Sequence, residues 1–138
     1  MLRTVLAVLA GLLVAIVLML AIEWLGMTLF PLPPGTSLQT EEDLVRLMDT
    51  APAAKLALVL LGWCIASVAG SWVAARIARQ HRRVAALAVG ALILCGVVLN
   101  VASLPHPMWM IVAGLALPLP LAWLGGRLAG AQSPRAAG

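Results

Sequence analysis

The chain of 138 residues is 63% hydrophobic and 10% charged, with a mean hydropathy of +1.07 and a net charge of +4. Soluble domains carry ~25% charged residues, so the composition excludes an ordinary water-soluble domain. The basic balance does not read as nucleic-acid binding either, because seven of the nine Lys and Arg residues fall at the ends of apolar segments on one expected side: Arg3, Arg76, Arg79, Arg82, Arg83, Arg127 and Arg135.

Residues 4–22, 56–75, 84–104 and 108–126 contain no Asp, Glu, Lys or Arg. Each approaches the ~20 residues that a helix needs to cross a hydrocarbon core of ~30 Å. The expectation is an all-α integral membrane protein. Four transmembrane helices, at about 4–29, 53–78, 84–104 and 108–128, form an antiparallel bundle in one domain over residues 1–130. Residues 131–138 read as a disordered cytoplasmic tail, being small, polar and terminal.

Span 1 starts after Arg3. Its apolar run exceeds the ~7–15 residues of a signal-peptide core, and Glu23-Trp24-Leu25 stands where small residues should mark a cleavage site. The span is therefore expected to stay in the mature protein. Glu23 is the only acid within a span, ~28 Å along it by helical rise and thus toward the outer face. An intramembrane carboxylate is a functional candidate whose partner must be named. Asn100 on span 3 and His106 just beyond it fall at matching depth, giving a candidate polar cluster of Glu23, Asn100 and His106 for a proton or cation. The plainer alternative is that Glu23 reaches interfacial water or pairs with Lys55 at the head of span 2.

The first outer loop opens with Pro31-Leu32-Pro33-Pro34-Gly35, stiffened by the fixed φ of proline. Thr40 and Asp43 then form a capping-box-like start. Leu44, Leu47 and Met48 follow at i, i+3, i+4, opposite Glu41, Glu42 and Arg46. This predicts a short amphipathic helix on the membrane surface or capping the bundle.

Span 2 carries Gly62, Ala66, Gly70 and Ala74 at spacings of four, a small-residue ridge that admits a close helix. Span 1 has a shorter version in Ala7, Gly11 and Ala15. The basic turn after span 2, with Arg76, Arg79, Arg82 and Arg83, orients the chain. Positive charge stays inside, so both termini are expected in the cytoplasm. Arg76, Arg79, Arg82, Arg83 and Arg127 are expected to contact anionic lipid headgroups.

Cys64 and Cys95 fall at similar depth on spans 2 and 3, but no Cys-x-x-Cys is present. An apolar setting disfavours the thiolates that a metal needs. No metal or other cofactor is expected. Pro118 and Pro120 within span 4 each remove a backbone donor, predicting a kink with freed carbonyls near residues 114–116. Trp72-Val73-Ala74-Ala75-Arg76 and Trp123-Leu124-Gly125-Gly126-Arg127 are similar, as are the Pro-x-Pro exits of spans 1 and 3. Two copies of a helical hairpin would explain both, and so would ordinary interface chemistry.

Glu23 near the end of span 1, Pro31-Leu32-Pro33-Pro34-Gly35, Gly62-Trp63 and Pro105-His106-Pro107-Met108-Trp109 together resemble a group of small four-span bacterial inner-membrane proteins. The likeness implies residence in that membrane and no particular activity. In plan the chain is also similar to small multidrug resistance transporters, with four short spans and a Glu in the first. Here the acid sits nearer the outer end, the first outer loop is longer, and Tyr is absent.

No stretch has the nucleophile–base or metal-ligand spacing of an enzyme. The sequence reads first as a non-catalytic inner-membrane protein with a structural or accessory role. The alternative is a small proton-coupled transporter or channel, working as a homo-oligomer with Glu23 as the titrating site. Membrane lipids are the expected partners, with a homo-oligomer or larger membrane complex as further candidates.

Overall fold

A computed structural model describes residues 1–131, so the expected tail from 132 onward, with Arg135, lies outside the described residues. Six helices and no strands occur among them: α1 (Leu2–Leu29), α2 (Glu41–Thr50), α3 (Ala53–Ala78), α4 (Arg82–Ser103), α5 (Met108–Ala116) and α6 (Pro118–Ala131). Helices α1, α3, α4 and the α5–α6 pair are long and apolar enough to cross a membrane four times.

The ends of these helices follow from local chemistry. Helix α1 stops where the Phe30 N–H donates to the Gly26 carbonyl and the proline segment begins. The residue before a proline is pushed out of the α region, so the helix cannot continue. Between α3 and α4 the turn is short and Arg79 takes φ +47°, a left-handed conformation that non-glycine residues seldom adopt. That sharp reversal places the first turn of α4 beside α3.

Helix α3 is the centre of the fold, packing on α1, α4, α5 and α6, while α1 touches only α3 and α4 among the long helices. Lipid tails are as apolar as leucine, so burial in lipid gives little drive to associate; close packing must hold the helices together. The small residues supply it. Gly62, Ala66, Gly70 and Ala74 of α3 are all buried, as are Ala7, Gly11 and Ala15 of α1. A Cβ on Gly70 would stand 2.6 Å from the Gly11 carbonyl oxygen and 3.0 Å from the Ala15 Cβ. A Cβ on Gly62 would meet Ile22 at 3.2 Å. At the far end of the same pair, Arg3 Nε donates to the Ile77 carbonyl at 2.8 Å.

On the other flank of α3, a Cβ on Gly125 of α6 would collide with the Val68 carbonyl oxygen. Ser71 donates its hydroxyl to the Ala86 carbonyl at 3.0 Å, joining α3 to α4, while Ser67 bonds back to Trp63 in its own helix at 2.7 Å. The core above these contacts contains Val89, Ile93, Val97 and Met110.

The fourth crossing is broken at Leu117, as the prolines require. Leu117 still donates to Ala113, but Pro118 and Pro120 have no N–H to offer to Gly114 and Ala116. Pro118 is fully buried, with its carbonyl oxygen facing Gly90 of α4. The break thus serves the α4–α6 contact, where Gly90 leaves room for the Ala122 methyl group.

Helix α2 is capped on both sides of its first turn. The Asp43 N–H donates to Thr40 Oγ1, and the Thr40 N–H donates to Asp43 Oδ2, each at 3.2 Å. Glu41, Glu42 and Asp43 put negative charge at the helix N-terminus, where the dipole favours it. Leu44 and Leu47 are half-buried and Met48 packs against the core. Hydrogen bonds from the Ser37 and Thr40 side chains hold the Asp43 carboxyl below its ordinary value of 3.8.

Candidate functional site

Three helices leave a cavity at the acidic end of the molecule. Its volume is about 440 Å³, and its walls come from α1, α3 and α4. Helices α1, α3 and α4 all touch one another, and the cavity lies among the three. Gly96 of α4 has nothing within 4 Å of the place where a Cβ would stand. The wall is therefore open at the position that could have filled it.

Glu23 and Asn100 both line this cavity. On α1 the facing residues are Ala15, Met19 and Glu23, spaced four apart; on α4 they are Gly96 and Asn100, also four apart. Residues at that spacing lie on one helix face. Trp63 of α3 closes the inner wall. The rim includes Ile16 and Leu20 of α1 and Leu92 of α4, all exposed. The carboxylate accepts hydrogen bonds only, whereas the amide both donates and accepts. A single carboxyl group and a single amide among apolar walls are the groups here that could hold a cation or a proton.

The structure separates His106 from this pair. His106 lines a different pocket, with Asp49, Leu56 and Trp109 among its neighbours. Helix α4 ends at Ser103, and Pro105 and Pro107 flank the histidine with fixed φ, so the ring leaves the face that carries Asn100. Its Nδ1 donates to the Leu104 carbonyl at 2.8 Å. The ring stands 6.2 Å from Trp63, tilted by 48°. Trp63 is thus a wall between Glu23 and His106. Lys55 is half-buried at the start of α3 and does not line the Glu23 cavity. The proline break between α5 and α6 does not border it either.

Gly96 and Met19 are cavity residues that the spacing arguments did not single out. A usable signal was present: a glycine four residues before an intramembrane asparagine marks a face with missing bulk. Cys64 and Cys95 are both unpaired thiols; Cys64 borders α6 beside Leu121, while Cys95 is exposed. No group of three His, Cys, Asp or Glu side chains suited to a metal occurs among the described residues.

The ridge residues Gly62, Ala66, Gly70 and Ala74 form the α3 face described above. Of the arginines, Arg76 lies 5.3 Å over the Trp72 ring and Arg127 lies 4.7 Å over the Trp123 ring. These two cation–π pairs, each one helical turn apart, are the structural content of the similarity between the two Trp-to-Arg segments. Arg82, Arg83 and Arg127 line a pocket between α4 and α6, while Arg79 is exposed on the turn.

Comparison with family models, with curated proteins and with solved structures gives no match.

Proposed function

We propose that the protein is a small proton-coupled carrier of lipophilic cations, with Glu23 as the site that a proton and the cation occupy in turn. The observation that carries this reading is the shared cavity of Glu23 and Asn100. A structural or accessory role asks for no such cavity; it asks only for the tight α1–α3 packing. The volume falls within the ~300–1,000 Å³ of small-molecule sites, and apolar walls with few polar groups are their usual make-up. The Trp63 ring can add a cation–π contact. A carboxylate that gives up its proton when it takes a cation couples the two without further machinery.

The surrounding architecture supports the same reading. The contacts Arg3–Ile77, Gly11–Gly70 and Ile22–Gly62 run in opposite chain directions along α1 and α3. We read the whole as an antiparallel bundle in the bacterial inner membrane, with the arginine end and both termini cytoplasmic. Helix α2 is then an amphipathic cap on the outer side. The rim between α1 and α4 faces outward from a single chain, so a second copy could close it, in keeping with a homo-oligomer. The reading has no catalytic step.

Equilibrium binding of tetraphenylphosphonium to the purified full chain in lipid nanodiscs tests the site. The Glu23 carboxylate attracts the cation by its charge alone, ~1–4 kcal/mol for a close pair between water-like and surface-like dielectrics, so Glu23→Gln is expected to weaken binding by about tenfold or more. Equal binding by the wild type and Glu23→Gln would remove Glu23 from the site.

A further inference from the structure

The arginine end holds a second site, independent of the Glu23 cavity. Arg82 and Arg83 begin α4, Arg127 lies in α6, and the three line one pocket of about 360 Å³ between these helices. Arg82 is the informative member. Its Nε is buried and has no hydrogen-bond partner among the described residues. A guanidinium is always charged, and a buried donor without a partner costs more than an exposed one. All five acidic side chains of the chain are elsewhere, on the last turns of α1 and in α2.

Two further features point to an anion. His81 gives α4 no side-chain cap, so the first backbone N–H groups of a helix of 22 residues have no side-chain acceptor from it, and the pocket residues Arg82 and Arg83 belong to this first turn, at the positive end of the helix dipole. Arg127 lies over the Trp123 ring at 4.7 Å, and both residues line the pocket. The α4 and α6 backbones come close here: a Cβ on Gly126 would stand 2.8 Å from the Ala86 Cβ. The arginines therefore converge from two helices onto one space.

We propose that this pocket is a specific site for the phosphate headgroup of an acidic phospholipid. Leu87 and Trp123 line the same pocket and are 40% and 46% exposed, so the arginines adjoin exposed apolar surface that an acyl chain would cover. Inorganic phosphate would use the arginines but not that surface. The site singles out Arg82, Arg83 and Arg127 from the other basic residues at this end. Arg3 is engaged by the Ile77 carbonyl, and Arg76 and Arg79 are outside the pocket.

Native mass spectrometry of the full chain, exchanged from phosphatidylglycerol or phosphatidylcholine into detergent, reads the occupancy. The wild type is expected to retain phosphatidylglycerol and to lose phosphatidylcholine. A hydrogen bond between an arginine and a phosphate oxygen is charge-assisted and contributes ~1.5–3 kcal/mol, so Arg127→Gln and Arg82→Gln should each lower retention about tenfold or more, with Arg79→Gln, which lies outside the pocket, unchanged. Arg127 is exposed, so its variant keeps the test valid should Arg82→Gln fail to fold. An equal loss with Arg79→Gln would mean diffuse attraction and overturn the site. So would equal retention of the two lipids. Displacement of phosphatidylglycerol by millimolar inorganic phosphate would assign the pocket to the free ion and overturn the lipid.

Discussion

Gly70 of α3 and Gly11 of α1 meet backbone to backbone: a Cβ on Gly70 would lie 2.6 Å from the Gly11 carbonyl oxygen. The obstacle is main chain, which cannot rotate away as a side chain can. Gly70→Ala therefore has to push the two helices apart. Overpacking of this kind costs ~1–3 kcal/mol. Denaturation in mixed micelles should show that loss for Gly70→Ala, and a wild-type midpoint would mean that α1 and α3 are not in this contact.

Gly96 gives the converse case. Its missing side chain faces open space within the Glu23 cavity. Gly96→Leu should leave stability within ~0.5 kcal/mol, as a substitution that meets no neighbour does. The same change fills part of the cavity and should abolish binding of tetraphenylphosphonium. Unchanged binding with Leu at this position would place the ligand elsewhere.

Ser71 and Ser67 differ in what they hold. Ser71 crosses from α3 to the Ala86 carbonyl of α4, while Ser67 stays within its own helix. A hydrogen bond between membrane helices contributes ~0.6 kcal/mol on average. Ser71→Ala should cost about that much by reversible unfolding in bicelles, and Ser67→Ala measurably less. Equal losses would count against the α3–α4 link.

Acid should loosen α2 first. The Asp43 carboxyl is held below its ordinary value by hydrogen bonds from Ser37 and Thr40. A depressed native value means that the unfolded segment binds the proton more readily. The capping contribution is therefore complete above the ordinary value of 3.8 and is lost as pH falls through the lower native value. Amide protection in residues 41–50, corrected for the intrinsic exchange rate, should fall over that acidic window, and Asp43→Asn should reduce this pH dependence. Protection that is flat with pH in the wild type would show that the box does not hold the helix.

Much of this architecture is written in the chain. The four crossings follow from uncharged runs, and the α1–α3 seam from glycines and alanines at spacings of four. Thr40 and Asp43 sit where a capping box needs them, and Pro118 marks the break to within one residue. These features are local, so spacing along one helix reveals them. The cavity is not local. It depends on how α1, α3 and α4 meet, and on Gly96 lining the gap among them. His106 matches Glu23 in depth along the chain, yet Pro105 and Pro107 turn it behind Trp63. Depth can be counted from a sequence, whereas rotation about the bundle axis depends on packing. The orphaned Arg82 Nε is hidden for the same reason: its isolation is set by where α6 passes.

The central claim is that a proton and a cation exchange at Glu23. Uptake of tetraphenylphosphonium into proteoliposomes, driven by an imposed pH gradient, measures that exchange directly. The account predicts gradient-dependent uptake by the wild type and none by Glu23→Gln at equal protein incorporation. Uptake by Glu23→Gln at the wild-type rate, or no gradient-dependent uptake by either, would contradict it.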